Sequence, residues 1–171
     1  SSFVPEWDGN VVIVGGGIGG CALALALQHR NISCAVFERD RTFDQRSQGY
    51  ALTMQQAAAT LKKLGFVDVK ELGTTPLSHA SLKPDGTVVS EYGPKTPPGR
   101  ERDVRRFNVQ LPRETLRDML MQKLQPGTVR WGANFERYQR NAQGRLEVFF
   151  RENDQAVTET ADLLVGCDGI W

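Results

Sequence analysis

The chain has 171 residues, 40% of them hydrophobic and 24% charged, which is enough for one domain with its own core. Its 21 basic and 20 acidic residues leave a net charge of +1, so the sequence offers no electrostatic reason to expect nucleic acid or an anionic membrane as partner. Three cysteines, Cys21, Cys34 and Cys167, lie far apart and form no C-x-x-C pair; this argues against a disulfide scaffold or a zinc site and for reduced, packed thiols.

No apolar run is long enough for a membrane span, and no basic-then-apolar signal peptide is present, so a cytoplasmic location is the expectation. The chain lacks an initiator Met, so "SSFVPEWDG" is expected to follow a removed tag or leader.

Taken in order, Asn10–Val14 reads as a short buried strand, Ile18–Arg30 as a helix and Ser33–Glu38 as a second strand. Strand, glycine-rich turn, helix and strand begin a βαβ unit, so these two strands are expected to be parallel. Asp40–Gly49 is a polar loop. A helix is predicted after Thr53, with Thr53 and Gln56 at capping-box spacing and Gly65 as its stop. "ASLKPDGTVVSEY" reads as a hairpin turning at Pro84-Asp85-Gly86, within an insert spanning about residues 78–110. Gly93–Asp103, rich in proline and glycine, is a loop, and "VRRFNV" is a strand. A helix starts near Pro112 and ends at Pro126-Gly127. "TVRWG", "FERYQR", "RLEVFFR" and "AVTET" then read as an antiparallel meander, with Trp131 and Phe135 in its core. It leads into "ADLLVGCDG", an apolar strand ending in a turn.

The segment that carries chemistry is Gly15-Gly16-Gly17-Ile18-Gly19-Gly20, which satisfies G-x-G-x-x-G between a strand and a helix. Gly15 allows a tight turn out of the strand, Gly17 allows close approach to a pyrophosphate, and Gly20 allows the helix to pack against the sheet. The helix N-terminus offers free N–H groups and a partial positive charge to phosphates. Glu38, 23 residues after Gly15, ends the second strand, near the ~20-residue spacing of the acidic group that bonds a ribose. A carboxylate there accepts ribose hydroxyls and repels a 2′-phosphate. NADP is therefore disfavoured in this site, although Arg39 next door suits such a phosphate, and NAD and FAD both remain open.

The rest of the chain resembles the FAD-dependent aromatic hydroxylases, the flavoprotein monooxygenases similar to para-hydroxybenzoate hydroxylase. The resemblance rests on "VVIVGGGIGGCALALALQHRNISCAVFERD", on "RSQGYALTMQQAAATLKKLG" headed by Arg46, on "LPRETLRDML" and on "ADLLVGCDG". It departs from the family pattern at Asn31, where glycine is usual, but asparagine tolerates the left-handed helix stop. The resemblance implies FAD as cofactor, with NADH or NADPH as transient electron donor and a small aromatic molecule as substrate. It implies that Gly15, Gly17, Ile18, Gly19, Gly20, Glu38, Arg39, Arg46, Arg113, Asp168 and Gly169 hold the cofactor. It names no catalytic side chain and no metal, and it leaves room for a homo-oligomer.

The expected architecture is an α/β fold: a Rossmann-like parallel βαβ sheet binding FAD, with an antiparallel meander, forming one FAD-binding domain over residues 1–171. In the family the chain continues past the Asp-Gly turn into a second flavin motif and the strands that close the substrate cavity. Ile170-Trp171 match neither, so the expectation is a truncated family fold whose 171 residues alone are doubtful as a hydroxylase. The alternatives are a flavoprotein that binds FAD without hydroxylating, and the NAD-binding Rossmann module of a dehydrogenase. His29 and His79 are expected at the surface. The basic cluster Gly99–Arg106 is read as a solvated loop, with the phosphates of a nicotinamide donor as its other reading.

Overall fold

A computed structural model describes residues 8–45, 49–54, 57–66, 72–76, 78–93 and 109–169. In chain order its elements are β1 (Asn10–Val14), α1 (Ile18–Gln28), β2 (Ser33–Glu38), β3 (Ala51–Thr53), α2 (Ala57–Lys63), β4 (His79–Leu82), β5 (Val88–Tyr92), β6 (Gln110–Pro112), α3 (Arg113–Gln122), β7 (Val129–Trp131), β8 (Ala133–Arg140), β9 (Leu146–Glu152), β10 (Gln155–Ala161) and β11 (Leu163–Gly166). Backbone packing divides them into two compact units, residues 1–49 with 113–171, and residues 50–112.

The first unit is built on a sheet of order β11-β1-β2-β7, parallel at each pairing. Consecutive β-branched residues Val11, Val12, Ile13 and Val14 suit a strand covered on both faces, and the first three are buried. Alternation along β1 and β2 divides the two faces. Ile13 lies beside Gly20 of α1, whereas Val12 and Phe37 join Ala133, Leu146, Val148, Phe150 and Ala161 of the meander in one buried cluster. The rings of Phe37 and Phe150 stack with centroids 4.0 Å apart. Helix α1 ends before Asn31, whose φ of 58° is the left-handed stop expected of it.

The meander is a three-stranded antiparallel sheet, β10-β9-β8. It does not include "TVRWG". That run forms β7, which pairs in parallel with β2, Trp131 opposite Glu38. The reason is topological. Helix α3 precedes β7, so strand β7 arrives as the return of a crossover and joins the parallel sheet; Gly132, with φ 72°, then breaks the strand before the meander begins. Phe135, expected in the meander core, is instead exposed at 39%, its ring T-shaped to that of Phe150 with centroids 6.0 Å apart. Arg145 links the two sheets, donating to Asp162 and to the Asn10 side chain.

In the second unit β3 pairs antiparallel with β6, and Thr74 bridges to Gln110. The β3 strand was not anticipated: three residues without a turn signal give no periodicity to read. Helix α2 follows, and Gly65 at φ 82° stops it. β4 and β5 form the expected hairpin, where Thr87 N–H donates to Asp85 Oδ1 at 2.9 Å and Gly86 takes φ 85°. The capping partner Gln56, Arg46, most of the 93–103 loop and of "VRRFNV", and the Gly99–Arg106 cluster lie outside the described residues. Among the described residues no helix is long and apolar enough to cross a membrane.

Candidate functional site

The glycine loop leaves β1 at the carboxyl end of the parallel sheet and enters α1 within three residues. Gly15 makes the turn at φ 105° and donates its N–H to Phe37 O at 2.8 Å. A side chain there would run into the carbonyl of Cys167. The turn after β11 therefore lies directly against the loop, and Cys167 and Asp168 reach it from about 150 positions further along the chain. Gly20 is the close-approach position: a Cβ on it would collide with Gly15 O and meet Ile13 Cγ2 at 3.4 Å. Gly17 and Gly19 differ. A Cβ on Gly19 meets nothing within 4 Å, and one on Gly17 meets only Arg113 Nη2, at 3.9 Å.

Glu38 is buried at the end of β2, and both its oxygens are engaged by backbone. Oε2 accepts from Gly16 N–H at 2.7 Å, and Oε1 from Asp40 N–H at 3.0 Å. Arg39 follows, half-buried. Arg113 opens α3 and pairs with Glu114 at 2.8 Å. The loop, Glu38, Arg113 and the Asp168 turn thus form one constellation around the N-terminus of α1. Ile18 is the first residue of that helix.

The sequence reading missed Arg117. It is 3% exposed, donates from Nε to Gly16 O at 2.9 Å and from Nη1 to Phe43 O at 3.2 Å, and has its Nη2 4.0 Å from Glu38 Oε2. Its guanidinium lies over the rings of Phe43 and Trp131, at 4.9 and 5.5 Å. Trp131 is thus a neighbour of the site, not part of the meander core. The available signal was spacing: Arg117 directly follows Leu116 and precedes Leu120 by three on α3, the face that is buried. Cys21 Sγ, fully buried, also donates to Gly16 O, at 3.4 Å. Burial pushes its thiol up to about 11, so it stays protonated at neutral pH. Burial also raises Cys34, and burial with the neighbouring Asp168 charge raises Cys167.

The N-terminus of α1 has the properties of an anion site. Gly17 N-caps it with no side-chain hydrogen bond, and its first turn holds no acidic residue. The first amides of a helix have no intrahelical acceptor, and here an open, Cβ-free surface flanks them, with Arg113 beside it.

A family model described as FAD binding domain matches residues 8–171. This chain belongs to that FAD binding domain family. The FAD-dependent monooxygenase thnD of Trichoderma harzianum is similar, 29% identical over 162 residues covering 94% of this chain and 38% of that protein. Among solved structures, 2,6-dihydroxypyridine-3-hydroxylase from Arthrobacter nicotinovorans superposes with a TM-score of 0.75 at 16% identity, covering 96% of this chain and 38% of that one. For p-nitrophenol 4-monooxygenase PnpA from Pseudomonas putida DLL-E4 the TM-score is 0.70 at 18% identity, with 94% and 40% covered. The chain thus spans less than half the length of these relatives. The expected fold, a parallel βαβ sheet with an antiparallel meander, and the expected cofactor, FAD, are both borne out. The loop is open at Gly17 and Gly19 and closed at Gly20, where helix and sheet touch, which is the geometry a dinucleotide-binding turn requires.

Proposed function

We propose that this chain is the FAD-binding part of a monooxygenase that takes two electrons from NADH or NADPH and hydroxylates a small aromatic molecule. The balanced reaction converts the aromatic C–H, O₂, NAD(P)H and a proton into the phenol, NAD(P)⁺ and water. The observation that carries this reading is the meeting of the open α1 N-terminus with Glu38, Arg113 and the Asp168 turn, within a chain of the FAD binding domain family. The names of two structural neighbours, one a hydroxylase and one a monooxygenase, support the reaction class.

In this reading FAD supplies the redox chemistry, and the chain's own residues bind and orient it. The amides of Gly17, Ile18, Gly19 and Gly20 take the pyrophosphate, and Arg113 adds positive charge beside it. Glu38 accepts the adenosine ribose hydroxyls, with Arg39 at its side. Asp168 and Gly169 hold the flavin end. The dehydrogenase alternative is disfavoured by the family, which is an FAD family.

The test is direct. The purified protein is denatured, the released chromophore is identified, and the FAD-loaded protein is supplied with NADH or NADPH and candidate phenols. Released FAD supports the reading, and NAD(P)H oxidation that yields hydrogen peroxide in place of hydroxylated product fits a chain that spans less than half the length of its relatives. Bound NAD in place of flavin overturns it.

A further inference from the structure

We propose that Arg117 is a positioning residue for the cofactor loop, setting the Gly16–Gly17 peptide so that its N–H faces the pyrophosphate; the inference rests on the reading of this loop as the FAD site. The carbonyl of Gly16 is held on one side by two donors, Arg117 Nε at 2.9 Å and Cys21 Sγ at 3.4 Å. Among the described residues no peptide bond is cis. A trans peptide points its C=O and N–H to opposite sides. Fixing the Gly16 oxygen towards Arg117 and Cys21 therefore turns the Gly17 N–H away from them. The same residue's N–H, that of Gly16, is fixed by Glu38 at 2.7 Å. Both ends of Gly16 are thus tied, one to the carboxylate that ends β2 and one to the guanidinium on α3.

Arg117 is suited to this task and lysine is not. Its planar fork serves two carbonyls at once, Gly16 O and Phe43 O, while its charge lies 4.0 Å from Glu38 Oε2 and 3.9 Å from Glu114 Oε2. Glu114 is in turn the partner of Arg113, beside Gly17. A buried guanidinium is costly unless its charge is compensated and its donors are used. Here its carbonyl and carboxylate partners belong to the loop, to the residue opposite it, to the Arg113 pair and to the turn after β2. Arg117 itself makes no ligand contact in this scheme; it acts through Gly16 and Glu38.

The experiment uses the full chain prepared free of flavin, as wild type, R117K and R117M, with folding checked by circular dichroism and thermal unfolding. Two quantities are read: the FAD dissociation constant from quenching of flavin fluorescence, and the amide resonances of Gly16 and Gly17 in the flavin-free protein. The expected result is that both amides move in the folded variants. The dissociation constant rises by about tenfold or more in R117M, and R117K recovers only part of the loss. Should R117M not fold, R117K carries the same test. A folded R117K that binds FAD within about twofold of wild type overturns the proposal. Weakened binding with unmoved amides also overturns it, because Arg117 would then be a direct ligand. The amide readout needs no flavin: if wild type takes up no FAD yet the amides move, the positioning role stands and the flavin reading falls.

Discussion

The amide of Gly16 and the carboxylate of Glu38 are hydrogen-bonded at 2.7 Å, and the same carboxylate accepts the amide of Asp40 at 3.0 Å. Glu38 therefore organises the backbone of the site by itself. Replacing it by alanine removes two things at once. FAD binding is expected to weaken by about 1.5–3 kcal/mol for the lost bonds to a charged acceptor, and unfolding free energy to drop by about 1–3 kcal/mol because buried N–H groups lose their partner. Calorimetric titration with FAD and urea unfolding of E38A separate the two. An unaltered FAD affinity would make Glu38 a purely structural residue.

The glycines of the loop are expected to fail differently. Gly17→Val places its Cβ 3.9 Å from Arg113 Nη2, an ordinary contact, so the fold survives while the surface proposed for the pyrophosphate is blocked. Gly20→Val drives a side chain into Gly15 O and towards Ile13, between helix and sheet, and should destabilise the protein by more than about 4 kcal/mol. Flavin content and thermal midpoint of the two variants check this. Equal midpoints would contradict the division of labour within the loop.

Phe150 stacks on Phe37 with centroids 4.0 Å apart, and both rings are buried. It is the largest side chain that the meander places in the shared cluster. Phe150→Ala should cost about 3–5 kcal/mol in denaturant unfolding. A loss below about 1 kcal/mol would mean that the meander does not depend on this contact.

Acid sensitivity should reside partly in Asp162. The backbone amide of Asn10, then Arg145, hold its carboxyl below the usual carboxylate range. A depressed folded-state value adds stability that is complete above the unfolded value of about 3.9 and is lost as pH falls through the lower folded value. Asp162→Asn should therefore lower the thermal midpoint at neutral pH and flatten its decline below about pH 4. Parallel pH profiles for the variant and wild type would remove Asp162 from the account.

The β1–loop–α1–β2 unit was legible because its determinants are local. Four β-branched residues, glycines at fixed offsets and a terminal Glu38 occupy one continuous stretch, and the roles of Gly17 and Gly20 follow from backbone geometry within it. The hairpin at Asp85-Gly86 and the left-handed stop at Asn31 are local in the same sense. Arg113 and the Asp168 turn were singled out only through their resemblance to a family, since a single Arg and a single Asp carry no periodic signal. What tertiary structure alone decided are relations across long stretches of chain. "TVRWG" reads as one more short strand, and only the crossover through α3 puts it beside β2 instead of in the meander. Arg117, for which the sequence names no partner, meets Gly16, 101 positions away, only when α3 packs against α1. Sequence spacing reports which face of an element a residue occupies. Which groups that face meets, and whether a buried charge is compensated there, depends on contacts that exist only once the chain has closed on itself.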